Sequence, residues 1–98
     1  MADLTTEELA VVRDILRRHL GQARVWVFGS RARGDARPTS DLDLAIISER
    51  PLPFAKLGEL EEDFAESDLP FRVDIVDWAS TSTAFRSRIE ACYEDILT

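Results

Sequence analysis

Gly29-Ser30-Arg31-Ala32-Arg33-Gly34-Asp35-Ala36-Arg37-Pro38-Thr39-Ser40-Asp41-Leu42-Asp43-Leu44-Ala45-Ile46 is the stretch on which the fold turns. At its right end Leu42, Leu44 and Ile46 alternate with Asp41, Asp43 and Ala45. A period of two puts alternate side chains on opposite faces of a strand, so Asp41 to Ser48 reads as a half-buried strand. To the left lies Val25-Trp26-Val27-Phe28, a short continuous apolar run rich in β-branched and aromatic residues. That pattern predicts a strand over Arg24 to Phe28, buried on both faces and ended by Gly29-Ser30. Between the two strands, Arg31 to Ala36 suits a short helical turn and Pro38-Thr39-Ser40 a loop.

Outward from this centre, helix and strand signals alternate. Thr5 with Glu8 fits a capping box. Leu9, Val12, Leu16 and Leu20 recur at helical spacing, and Gly21 suits the stop. His19, near that helix's C-terminus, reads as a surface or capping residue. On the other side, Glu49 to Pro53 is a connector, and Phe54 to Glu66 a helix with Phe54, Leu57, Leu60 and Phe64 on its inner stripe. Phe71 to Trp78 reads as a third strand, with Phe71, Val73 and Ile75 facing one way and Arg72, Asp74 and Val76 the other. Asp77 is expected to cap or turn the strand end. Ser80 to Thr83 offers N-caps for a last helix carrying Phe85, Ile89, Tyr93 and Ile96 or Leu97 inward, with Cys92 as a small apolar helical residue. The order α-β-(short α)-β-α-β-α implies an α/β sheet covered by helices, with strand polarity left open.

The chain has 98 residues, which fits a single domain spanning 1–98. On that length the expectation is one domain without a separate substrate-recognition unit. The formal net charge of −7 argues against general nucleic-acid binding, which depends on Lys and Arg neutralising phosphates. One cysteine allows neither an internal disulfide nor a CxxC zinc site. The absence of a basic-then-apolar N-terminus or a long apolar run leads to the expectation of a cytoplasmic protein with no membrane association.

The chemistry concentrates on acids and one turn. On a strand Asp41 and Asp43 share a face, with their carboxylates roughly 6 to 7 Å apart. At an effective dielectric near 20 such a pair repels by about 2.5 kcal/mol. A hard divalent cation reverses that cost, because Mg²⁺ is held by one or two carboxylates plus substrate phosphates. Asp74, on another alternating strand, supplies a third acid if the two strands are neighbours. Three acids can clamp two metals for in-line displacement at phosphorus, or one can take a proton from the attacking hydroxyl. Gly29-Ser30, at a strand-to-helix turn, offers backbone N–H groups to an anion; Ser30 can add a hydroxyl, and Arg33 or Arg31 a charge. The turn is neither a Walker A loop nor a GxGxxG fingerprint.

Taken together, Gly29-Ser30, Asp41-x-Asp43 and the later Asp74 resemble the nucleotidyltransferase superfamily related to DNA polymerase β. The stretch quoted above looks like its minimal nucleotidyltransferase subgroup, and the resemblance runs from Val25 through the final helix. It implies an α/β (α+β) fold with a small mixed sheet flanked by helices. It implies ATP or another NTP as substrate with two Mg²⁺ ions, or Mn²⁺. Gly29 and Ser30, with Arg33 nearby, would meet the triphosphate; Asp41 and Asp43 would hold both metals; Asp74 would be the third ligand or base. It also implies a HEPN-domain partner in a toxin–antitoxin pair, a homo- or hetero-oligomer, and AMP transfer to that partner. Two other readings remain at this point: a non-catalytic neutralising subunit of a HEPN complex, and an enzyme acting on a small-molecule hydroxyl such as an antibiotic.

Overall fold

The computed structural model describes residues 2–97. Helix α1 (Thr6–Leu20) opens on the expected capping box, in which the Thr5 side chain accepts from the Glu8 amide and Glu8 accepts from the Thr5 amide. It ends at Gly21, whose φ of +61° a side chain would disfavour. Then follow β1 (Arg24–Phe28), a single turn α2 (Ser30–Arg33), β2 (Leu42–Ile47), α3 (Phe54–Glu66) and β3 (Val73–Asp77). A 3-10 turn (Trp78–Ser80), α4 (Thr83–Ala91) and β4 (Tyr93–Asp95) complete the chain.

The four strands form one mixed sheet in the order β3-β2-β1-β4. β1 runs antiparallel to both β2 and β4, and β2 runs parallel to β3 through the α3 crossover. The two sheet faces differ. Val25, Val27, Leu42, Leu44 and Ile46 are sealed against Val12, Ile15 and Leu16 of α1 and Leu60 and Phe64 of α3. The opposite face carries Trp26 and Ala45, packed with Ile89 of α4 and flanked by Phe28, Ile47, Val76, Trp78 and Phe85. β2 is therefore covered on both sides over Leu44–Ile46, while its first acidic position, Asp43, is only half-buried.

Three expectations need correction. The last helix does not run to Leu97: it stops at Ala91, Cys92 turns extended (φ −158°), and Tyr93–Asp95 pairs with β1. An unpaired β1 edge would leave backbone N–H and C=O groups without partners, and β4 supplies them. Ile96 remains buried as expected, but as the residue that continues this strand, with its amide donating to the Val25 carbonyl. Cys92 is exposed at the end of α4 rather than packed on a helix. Phe54 is not on an inner stripe but 92% exposed. It is the first residue of α3, and a helical side chain leans back toward the N-terminus of its helix, here past the packed surface.

His19 has a definite partner. Its Nε2 lies 2.5 Å from Asp63 Oδ2, which ties the end of α1 to α3. That hydrogen bond is the main cause that holds the Asp63 carboxyl below its ordinary value; desolvation acts against it, and the positive charges of His19 and Arg18 add to it. Asp77 takes the turn role expected of it: Oδ2 accepts from the Leu52 amide and the Ser80 hydroxyl, and its carbonyl accepts from Thr81 Oγ1.

Candidate active site

The register builds the site. Across the second sheet face, Asp74 stands beside Asp43, and Asp43 beside Phe28. Asp41 lies one residue before β2, two before Asp43, and is exposed. The start of β2 is pinned to the approach of β3 by the Leu42 amide, which donates to the Arg72 carbonyl at 2.8 Å. The three acids named from the sequence therefore come together at one end of the sheet.

The electrostatics follow from that gathering. Burial is the main cause that pushes the Asp43 carboxyl above its ordinary value, followed by the negative charges of Asp74 and Asp41. Arg33 acts in the opposite direction. The guanidinium of Arg72 reaches both neighbours, with Nη2 at 3.8 Å from Asp41 Oδ2 and 3.5 Å from Asp74 Oδ1. Arg72 is largely exposed, so these are weak surface pairs. Its place was legible in outline, because Arg72 and Asp74 are two apart on one strand face.

The donor set suits a hard cation: three carboxylates, one of them half-buried and resisting ionisation, first because of that burial and then because the others are near. Among the described residues no group of three His, Cys, Asp or Glu side chains is drawn together as a metal-holding set. The acids are gathered but open. That is compatible with Mg²⁺, which keeps waters and takes substrate phosphates alongside one or two carboxylates.

Gly29 brings the turn onto the acids. Its φ is +75°, and a Cβ placed there would collide with Asp43 Oδ2 and lie 3.3 Å from Asp43 Cγ. Only glycine lets this backbone come so close to the carboxylate. Ser30 begins α2, with its carbonyl taken by the amides of Gly34 and Asp35. Arg33 is exposed, pairs with Asp35 at 3.3 Å and is near enough for its charge to act on Asp43. Arg31, considered beside Arg33 as an anion-binding charge, is turned the other way. It is 3% exposed, and its guanidinium donates to the carbonyls of Asp3, Arg37, Pro38 and Ser40. Sequence reasoning did not find this use of Arg31.

Comparison with known proteins gives the geometry a family. The profile of the nucleotidyltransferase domain matches residues 9–96. A Haemophilus influenzae protein, named as probable protein adenylyltransferase MntA, is 54% identical over 91 residues, covering 93% of this chain and 80% of that protein. A crystal structure of a toxin–antitoxin with AMP-PNP is 26% identical and superposes with a TM-score of 0.75 over 90% of this chain and 71% of that one. The same fold is shared, at 22% identity and a TM-score of 0.66, with a chain in the complex of tri-AMPylated Shewanella oneidensis HEPN toxin and MNT antitoxin; 90% of this chain and 71% of that one are covered. Among the described residues no helix is long and apolar enough to cross a membrane. A Gly-Ser turn pressed on the first of two register-paired aspartates, and a profile match over nearly the whole chain, lead to one conclusion: the chain belongs to the nucleotidyltransferase domain family and is a transferase of that kind.

Proposed function

We propose that the chain transfers AMP from ATP to a hydroxyl of a HEPN-domain partner and serves as the antitoxin of that pair. The observation that carries this reading is the contact between Gly29 and Asp43, with Asp74 in register beside them. A backbone that only glycine can bring against a carboxylate supports reading the Gly29-Ser30 turn, next to the acids, as the phosphate-binding end of the site. The names of the relatives support the rest: a protein adenylyltransferase at 54% identity, and a fold neighbour whose HEPN toxin is AMPylated.

In this reading Gly29 and Ser30 hold the triphosphate, with the Ser30 hydroxyl donating to a phosphate oxygen and Arg33 adding positive charge. Asp41 and Asp43 would hold divalent metal, Mg²⁺ by preference, with Asp74 as a third ligand or as the base; the metal would supply positive charge against the phosphates. The acceptor oxygen forms a bond to the α-phosphorus, the bond from that phosphorus to the bridging oxygen breaks, and pyrophosphate leaves. The hydroxyl proton passes to a carboxylate, a part this reading gives to Asp74 on the edge strand.

The test is mass spectrometry of a HEPN partner incubated with this chain, ATP and Mg²⁺. The expected result is a mass increase of one or more AMP units, abolished by EDTA. An unchanged mass with ATP and the other NTPs, each tried with Mg²⁺ and Mn²⁺, would sink the proposal.

A further inference from the structure

Arg31 is a buried cation, and the polar groups it meets are carbonyls. Removing a guanidinium from water costs several kcal/mol unless hydrogen bonds replace the lost hydration. Here the replacement comes from main chain. Nη1 donates to the Asp3 carbonyl at 2.6 Å; Nε and Nη2 donate to the Ser40 carbonyl at 3.1 and 2.8 Å; Nη2 also reaches Pro38 at 3.1 Å and Arg37 at 3.4 Å. The guanidinium carbon lies 4.1 Å from the centre of the Phe71 ring, a cation–π distance. The Arg31 carbonyl accepts in turn from the Asp3 amide.

The connectivity gives these bonds their meaning. Arg31 follows Ser30 directly. The Ser40 carbonyl belongs to the peptide that joins Ser40 to Asp41. Phe71 precedes Arg72, whose carbonyl pins the start of β2, and lies three residues before Asp74. One side chain thus meets the loop that delivers the first acid and the segment that delivers the third, and its own backbone continues the Gly29-Ser30 turn.

We propose that Arg31 is a positioning residue for nucleotidyl transfer: its buried guanidinium fixes the 37–40 loop and Phe71 against the Gly29-Ser30 turn, and so sets where Asp41 stands. This rests on the reading of the acid cluster as a transfer site. Lys cannot take the role, because an ammonium is a point donor and cannot span several carbonyls from one plane as the guanidinium fork does. Displacements of about 1 Å in a catalytic constellation cost on the order of 10²-fold in rate.

The experiment compares wild type with Arg31→Lys and with Ser40→Ala. The second change leaves Arg31 intact but removes the bond from the Arg37 amide to Ser40 Oγ, 2.8 Å, that shapes the same loop. Both proteins are assayed for AMP transfer to the HEPN partner well below their melting temperatures, and amide hydrogen exchange is read along the chain. The expected result for Arg31→Lys is a fall in kcat of about 10²-fold with KM for ATP within about threefold, since the triphosphate turn itself is untouched. Faster exchange confined to residues 37–42 should accompany it, with β1 as protected as in wild type. Ser40→Ala should lower kcat about tenfold in the same pattern. A folded Arg31→Lys with wild-type kcat, or one whose loop exchanges as slowly as wild type, overturns the proposal. If Arg31→Lys does not fold, Ser40→Ala decides alone, and wild-type kcat in that variant overturns it. If wild type itself moves no AMP, the transfer reading has failed, and the exchange pattern still reports whether Arg31 orders the loop.

Discussion

The two faces of β2 are built from adjacent residues and do opposite work. Leu42, Leu44 and Ile46 point into a sealed apolar layer under α1 and α3. Asp43, between them, points to the other side, toward Asp74 and the Gly29 backbone, with only part of that face covered by α4. The first face lowers the free energy of the fold by removing apolar surface from water. At Asp43 the second face raises it, by half-burying a carboxylate and then by gathering like charges around it, which is why Asp43 resists ionisation. A single strand thus separates a sealed apolar face from an acidic one by one residue of pleat.

That separation can be broken from either side. The largest effect is expected on chemistry: Asp41→Asn with Asp43→Asn should lower AMP transfer by about 10³-fold or more, as loss of groups that hold transition-state charge does. Calorimetry should show a melting temperature no lower than wild type, because like-charge repulsion is relieved. A clear drop in melting temperature would mean that the acids are structural. From the other face, Leu44→Ala removes a fully buried side chain and should cost about 3 kcal/mol in denaturant unfolding. Its folded fraction should keep near-normal kcat at low temperature. A large loss of kcat at full folding would show that the faces are not independent.

Gly29→Ala should blur the distinction, since it strains a positive φ and drives a methyl into Asp43. We expect roughly 1–3 kcal/mol of destabilisation together with lost transfer; unchanged activity would remove the contact from the argument. The smallest effect is expected at Asp63. Its carboxyl sits below the ordinary value, so its contribution is present above that value and is lost as pH falls through the lower folded one. Asp63→Asn should therefore lower the melting temperature slightly at neutral pH and flatten its decline in acid. An acid limb identical to wild type in a pH series of thermal melts would show that the pair with His19 contributes nothing.

Much of this was legible in the chain, for reasons that particular residues make plain. The alternation from Asp41 to Ile46 gave β2 its two faces, and the same alternation around Asp74 gave β3 its acid on the matching side. The capping box at Thr5 and the α3 boundaries are local signals and were found. β4 was not, because Tyr93 follows Ile89 by four residues and so continues a helical stripe; only the open edge of β1, remote in sequence, makes those residues a strand. The pairing of Asp43 with Asp74 depends on a parallel register set by the α3 crossover, which periodicity does not encode. Arg31 and Arg33 illustrate the same limit. They are two apart on a helical turn and so point to nearly opposite sides. Composition gave no sign of which would be buried by loop carbonyls and which left near the acids.

The parallel join between β2 and β3 also has a kinetic meaning. Asp41 and Asp43 come as a local pair, whereas Asp74 reaches them only after α3 has formed and crossed over, a connection whose loop-closure entropy must be met before its contacts form. On that order of events, charge crowding is expected to enter on the native side of the folding barrier. Relieving it with Asp74→Asn is expected to slow unfolding and leave the refolding rate nearly unchanged, as stopped-flow chevrons would measure. An accelerated refolding limb would instead place the third acid in the folding nucleus.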